Sequence, residues 1–447
     1  MTGVLKYLKT AAQCVLTAAL ASACAGDVFN DFYGTSSERF YGSSEGTGMP
    51  VREVTVSSRN VLLLYSAGFN NLSSALEDDV NDLKSGYIPR PGSHSILLVF
   101  SRRVSGNSYS NPSPAHLIRL YSGTDGTVIS DTLRTWPAGT VAASATTMRE
   151  VLTYINSIYP KARTGMIFSS HASGWLPKGF YSTGVLPSYS VARRAAAAPE
   201  MPVPYIEPEY APGEPMVKSI GVDNASNSSA YEMEIEDLAS AIPEKLDYII
   251  MDACLMGGIE TAYALKDKCG KLVFSQAEVM ADGLCDYTSL GKRLLEGPQP
   301  DLQGLCDDSY NHYSAPGFSK PYLTLSMVDC SALDGLAGVC RGIFNDNRAL
   351  LSSVNPSDVQ GYFRFNKHWF YDMEDILVKA GIPSDKLADF RAALDDCIMY
   401  KASTPTCISI EIKTFCGLSM YLPANGSQAI DNFYKTLSWN KATSLVP

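Results

Sequence analysis

Residues 246–265 read LDYIIMDACLMGGIETAYAL, and the fold turns on this stretch. Residues 246–252 form a short apolar run of the kind that makes a buried strand. A helical pattern follows from about Leu255 to Leu265, so Cys254 falls just past a strand's lip and at a helix start. The same strand-then-helix unit recurs along the chain. Residues 61–66 (VLLLYS) lead through GFNN into a helix with Leu72, Ala75, Leu76, Val80 and Leu83 on one face. Glu77, Asp78, Asp79 and Asp82 read mostly as its solvated face. SILLVF (95–100) and HLIRLY (116–121) are further strands. Met148, Val151, Leu152, Ile155, Ile158 and Tyr159 recur at helical spacing, with a Thr147–Glu150 capping box ahead of them and Pro160 behind. GMIFSS (165–170) is another buried-type strand and stops at His171. KSIGVD, a helix through Ile235, Leu238, Ala239 and Ile242, and the strand KLVFSQ (271–276) complete the pattern. Such alternation predicts an α/β protein with a mostly parallel sheet flanked by helices. Beyond Asp329 it weakens. Helical stretches near 331–345 and 384–400 precede strand-like CISIEIK and GLSMYLP, which suggests a smaller C-terminal subdomain over 331–447.

The 447 residues are too many for one minimal core. With 45% hydrophobic and 18% charged residues the composition is that of a folded globular chain. A net charge of −10 gives no attraction for nucleic acid, and no basic patch with interleaved aromatics stands out. Lys6 and Lys9 precede an apolar stretch from Ala11 to Ala23, so residues 1–23 read as an export signal, too short to span a bilayer. LASAC then places Cys24 after Ala23, which resembles a bacterial lipoprotein cleavage site and makes Cys24 the expected lipidated residue. The usual site has Leu three residues before the cysteine, and Ala21 stands there. The expected location is the cell envelope, through that anchor, or otherwise the exterior. Residues 24–58 are Gly/Ser-rich and read as a tether, leaving a main domain over 59–330. Within it, residues 176–218 carry seven prolines between Pro187 and Pro215 around an ARRAAAAP stretch, the composition of a long exposed loop. No cysteine group has the spacing of a zinc site. Setting Cys254 aside, the eight cysteines beyond the tether either form disulfides, as export permits, or serve as small buried hydrophobes.

Two strand ends carry the chemistry. SSHASGW puts His171 at one C-terminal lip, and MDACLMGG puts Cys254 beyond another, 83 positions later. In open parallel sheets the ligand crevice lies past the carboxyl ends of the strands, so neighbouring strands would bring the two together. A helix start lowers a thiol pKa, and an imidazole favours the thiolate and protonates a leaving amine. Backbone N–H groups at Cys254 and near Ala172 or Ser173 are candidate oxyanion donors, with Gly174, Gly257 and Gly258 allowing close approach. His94, His116, His312 and His368 sit in no comparable context.

These blocks resemble the clostripain family of cysteine peptidases. GFNNLSSALEDDVNDL, SSHASGW, SIGVD, DYIIMDACLMGGIETAYAL, FSQAEVMADG, LTLSMVDCSAL and GLSMYLP carry the resemblance from about residue 59 to near 422. It implies a caspase-like three-layer sandwich with His171 and Cys254 as the catalytic dyad. It further implies that Asp252 recognises a basic P1 side chain and that Asp282 is a second acid of that pocket; helix capping and a turn role are the alternatives. Self-cleavage between histidine and cysteine, usual in the family, would fall near Arg193 and Arg194. Two departures stand out: Ala172 replaces the glycine usual after the histidine, and FSQAEVMADG is less acidic and aromatic than the family's version. The resemblance allows a calcium requirement, but no acidic loop places a site, and no metal or other cofactor is expected. The partners implied are protein or peptide substrates, with the membrane reached only through the N-terminal anchor. The competing expectation is a catalytically weak surface lipoprotein that binds peptides on the same fold.

Overall fold

The structure is a computed structural model that describes residues 59–106, 108–180, 202–204, 220–226, 229–315, 322–364 and 368–447. The expected signal, the tether, Cys24, Arg193 and Arg194 lie outside the described residues. The strands, in chain order, are β1 (Asn60–Gly68), β2 (Ser95–Arg103), β3 (Ala115–Ser122), β4 (Val128–Trp136) and β5 (Arg163–Ser169). There follow β6 (Val203–Pro204), β7 (Ile220–Ser226), β8 (Ser229–Met233), β9 (Leu246–Asp252) and β10 (Cys269–Phe274). Then come β11 (Thr324–Asp329), β12 (Tyr371–Asp372) and β13 (Ile398–Ser403), followed by three two-residue strands, Thr406–Cys407, Ile410–Glu411 and Ser419–Met420.

Nine of these form one sheet in the order β13-β11-β10-β9-β5-β1-β2-β3-β4. The five central strands, from β10 to β2, run parallel. Antiparallel neighbours flank them on both sides, β3 and β4 at one edge and β11 and β13 at the other. The continuous apolar runs explain the centre: all nine residues of β1 are buried, as a strand covered on both faces requires. Each large aliphatic side chain so buried contributes about 2 kcal/mol.

Helices flank the sheet in two groups. Helix α1 (Ser73–Ser85) packs against Tyr287–Gly291. Helix α2 (Ala145–Ile158) packs on α3 (Ile235–Ala241), which packs on α4 (Ile259–Leu265). The start of α2 differs from the expected capping box. Ser144 is its cap, accepting from the Thr147 N–H at 3.1 Å, while Glu150 accepts from Trp136 Nε1 at 3.0 Å. The C-terminal segment supplies β13 as a sheet edge and adds α5 (Leu333–Asp346) and α6 (Ser384–Cys397). The nine cysteines from Cys254 to Cys416 are all free thiols and all buried, which is the packing alternative rather than the disulfide one. Among the described residues no helix is long and apolar enough to cross a membrane.

Candidate active site

Strands β5 and β9 are adjacent and parallel, with Ser169 opposite Asp252 at their carboxyl ends. His171 and Cys254 each follow two residues later. The register therefore carries both past the same edge of the sheet, and both line one cavity of about 270 Å³. Leu72, Leu76 and Asp79 of the first strand–helix unit close one side, and Val279 to Ala281 close another.

The loop that carries His171 is fastened on both sides. Ser170 donates its hydroxyl to the Ala67 carbonyl at 2.7 Å, and the Gly221 N–H donates to the His171 carbonyl at 3.0 Å. The ring itself meets Asn71, whose Oδ1 lies 2.7 Å from Nε2. An amide oxygen only accepts, so the imidazole donates from Nε2, and Nδ1 is the basic nitrogen of the neutral ring. Asn71 sits in the GFNN turn, at the carboxyl end of β1. Sequence reasoning passed over it although the strand-end rule covered it.

Cys254 is only 4% exposed, and its thiol is pushed up to about 12. Burial is the main cause, and the negative charge of Glu278 adds to it. The thiol donates to the Val279 carbonyl at 3.4 Å and accepts from the Val279 N–H at 3.2 Å. The expectation of a helix start at the cysteine is corrected here. Helix α4 begins at Ile259, because Leu255 takes a left-handed backbone (φ 62°) and Gly258 stays extended ahead of the helix. No helix dipole therefore acts on the thiol, which is raised rather than lowered. Beneath it, Glu278 and Arg364 form a buried pair with 3.5 Å between Nε and Oε1.

Asp252 caps no helix. Its Oδ2 accepts from the hydroxyls of Ser169 and Tyr287, each at 2.7 Å, and its Oδ1 from the Leu284 N–H at 2.6 Å. Desolvation raises its pKa and these three donors oppose the rise. Asp282 is exposed and accepts from the Tyr322 hydroxyl at 2.9 Å, with its neighbours Ala281 and Gly283 lining the cavity. Asp79, read from sequence with the solvated acids of α1, is instead 5% exposed and lines the cavity. The helical period contained the correction: position 79 is three beyond Leu76 and four before Leu83, on the buried face. Ala172 is fully buried behind the histidine. Among the described residues no cluster of three His, Cys, Asp or Glu stands ready to hold a metal ion, so no residue is assigned to calcium.

The fold is that of known C11 proteases. An inactive zymogen C11 protease from Parabacteroides distasonis superposes with a TM-score of 0.67 at 23% identity, covering 89% of this chain and 99% of its own. A secreted C11 cysteine protease from Bacteroides thetaiotaomicron, iotapain, gives 0.66 at 24%, covering 86% and 99%. A structure of a secreted C11 cysteine protease from the same organism with an irreversible peptide inhibitor gives 0.66 at 22%, covering 87% and 99%. No curated protein matches the chain. These likenesses define the class of fold, a caspase-like α/β sandwich. The clostripain family model matches residues 208–443, more than half of the chain, and the chain belongs to that family of cysteine peptidases. The matched span includes Asp252, Cys254 and Asp282 and begins after His171.

Proposed function

We propose that this peptidase is an exported endopeptidase that cleaves after Arg or Lys, with Cys254 as nucleophile and His171 as its acid–base partner. The observation that carries the reading is the β5–β9 register, which delivers both side chains to one cavity beside two buried carboxylates. His171 Nδ1 takes the thiol proton as Sγ attacks the scissile carbonyl carbon. Backbone N–H groups of Ala172 and Cys254 receive the developing oxyanion. The imidazolium then protonates the leaving amine, and water hydrolyses the thioester. Asp252, with Asp282 at the rim, attracts the P1 cation.

The buried thiol held by Val279 fits a latent form. Self-cleavage near Arg193 or Arg194 would be the activating step. Export through residues 1–23 and lipidation at Cys24 place the active protein at the envelope; iotapain is itself described as secreted. The raised, enclosed thiol also suits the second reading, a weakly catalytic peptide-binding lipoprotein.

One experiment decides between them. Peptides with Arg, Lys, Asp or Ala at P1 are incubated with the wild type and with Cys254→Ala, with and without a thiol alkylator, and the intact mass of each protein is followed. Thiol-sensitive cleavage after Arg or Lys, and chain fragmentation in wild type only, are expected. No thiol-sensitive cleavage of any peptide would sink the peptidase mechanism. Cleavage after Asp or Ala alone would remove the basic pocket, and equal fragmentation of both proteins would remove self-processing.

A further inference from the structure

The cavity beside Cys254 holds a carboxylate that the proposed mechanism does not use. Asp79 projects from α1, is 5% exposed, and lines the cavity with Asp252 and Cys254. Its Oδ2 is fully buried and accepts no hydrogen bond. A buried carboxyl oxygen left without a donor costs stability unless something supplies one. The nearest cation does not. Arg103 gives its terminal N–H groups to the carbonyls of Ser66, Arg102 and Leu76 and to the Ser66 hydroxyl. Its Nε faces Glu77 at 3.5 Å.

Asp252 has the opposite condition. Three protein donors already occupy its two oxygens, which leaves little acceptor capacity for a ligand. The acid beside the nucleophile is thus spent largely on holding the 284–287 segment, while the acid on α1 keeps an oxygen without a donor. We infer that Asp79 is the principal acceptor for the cationic end of a P1 Arg or Lys side chain, a specificity-determining residue of the reaction. This inference rests on the endopeptidase reading above.

The charges around Asp79 give the pocket a further property. Asp252, Asp82 and Asp282 bear on it with negative charge, Arg103 opposes them, and the Tyr287 hydroxyl stands nearby. Burial first, then Asp252, raises Asp79 to about 9, so the empty pocket keeps it protonated at neutral pH. A bound ammonium or guanidinium reverses that balance, and the Asp79 proton leaves to bulk water as the cation enters. A neutral P1 side chain of similar length gains nothing and leaves the proton in place.

The test compares wild type with Asp79→Asn, which keeps the side-chain shape, after self-processing has run to completion. Hydrolysis of otherwise identical peptides with Arg, Lys or norleucine at P1 is measured from pH 6.5 to 8.5. The ratio of kcat/KM for Arg to that for norleucine cancels the titration of the dyad. In wild type this ratio should rise about ten- to hundred-fold over the range, and in Asp79→Asn it should be flat and about ten- to hundred-fold lower at pH 8. Calorimetry in buffers of different ionisation enthalpy supplies a readout that needs no turnover. With both proteins first nicked in the 176–218 loop by an added protease, a short peptide ending in argininamide should release close to one proton more on binding to Cys254→Ala than to the double variant Cys254→Ala/Asp79→Asn at pH 7.5. Equal ratios and equal proton release in the two backgrounds would overturn the inference. If no peptide is cleaved, the endopeptidase reading falls, and the proton count still decides the role of Asp79.

Discussion

In the proposed mechanism Asn71 sets which nitrogen of His171 acts as the base. Its Oδ1 holds the Nε2 proton at 2.7 Å, so the ring presents Nδ1 as base in one orientation. Asn71→Ala removes the acceptor without touching substrate, and the ring then samples the wrong tautomer. The expected result is a fall in kcat of about ten- to hundred-fold, toward the lower end of what a positioned acid–base group contributes. KM should stay within about two-fold, since no binding contact is lost. Steady-state kinetics on an Arg peptide checks this, and an equal loss in KM would show that Asn71 shapes the pocket instead. At this scale the sequence was half legible. His171 and Cys254 were visible because strand ends were visible. Asn71 and Asp79 carried weaker signals that polarity hid: Asn71 stands just past a strand's carboxyl end, and Asp79 shares the helical face of Leu76 and Leu83.

Among the elements, the two loops that follow β5 and β9 touch at Gly174. It has φ 60°, and a Cβ there would lie 2.6 Å from the Leu255 carbonyl and 2.7 Å from the Phe370 ring. Gly174→Ala combines a left-handed alanine with a clash against backbone, and a loss of about 2–4 kcal/mol is expected. Because Leu255 follows the proposed nucleophile, kcat/KM should fall along with the urea midpoint. A variant with lower stability and full activity would mean that the loops move independently. The same contrast explains which elements could be read in advance. The central strands announced themselves as unbroken apolar runs. Edge strand β4 alternates exposed and half-buried residues and offers no apolar run to announce it. Strand β13 follows α6 with no break, since Ile398 is both the helix cap and the first strand residue, and the apparent helix near 384–400 absorbed its start. The helical pattern after Cys254 was real only from Ile259, where the chain leaves the positive φ of Leu255 and the two glycines behind.

Across the whole molecule, the C-terminal segment is tied to the strand ends that line the candidate site. Trp175, four residues after the histidine, packs edge-on against Tyr421 and Tyr434 at 5.1 and 5.0 Å. Glu260, at the start of α4, accepts from the Tyr421 N–H at 2.9 Å and the Tyr434 hydroxyl at 2.6 Å through the same oxygen. Its other oxygen is buried without a hydrogen bond, and desolvation raises the carboxyl from 4.5 to about 7. The folded chain therefore holds this proton more tightly than the unfolded one. The stabilisation is full below about pH 4.5 and is lost as pH rises through 7, on the order of 3 kcal/mol in total. Glu260→Gln keeps the oxygen that accepts both bonds and cannot ionise. Asp79 and Asp252 contribute with the same sign, so the informative quantity is the difference between wild type and variant. Denaturant unfolding at pH 5 and pH 8 should show the variant gaining on wild type by about 2–3 kcal/mol as pH rises. A difference that stays constant between the two pH values would mean that Glu260 keeps its charge in the folded chain, and that the junction between α4 and the C-terminal segment is wetter than its burial implies.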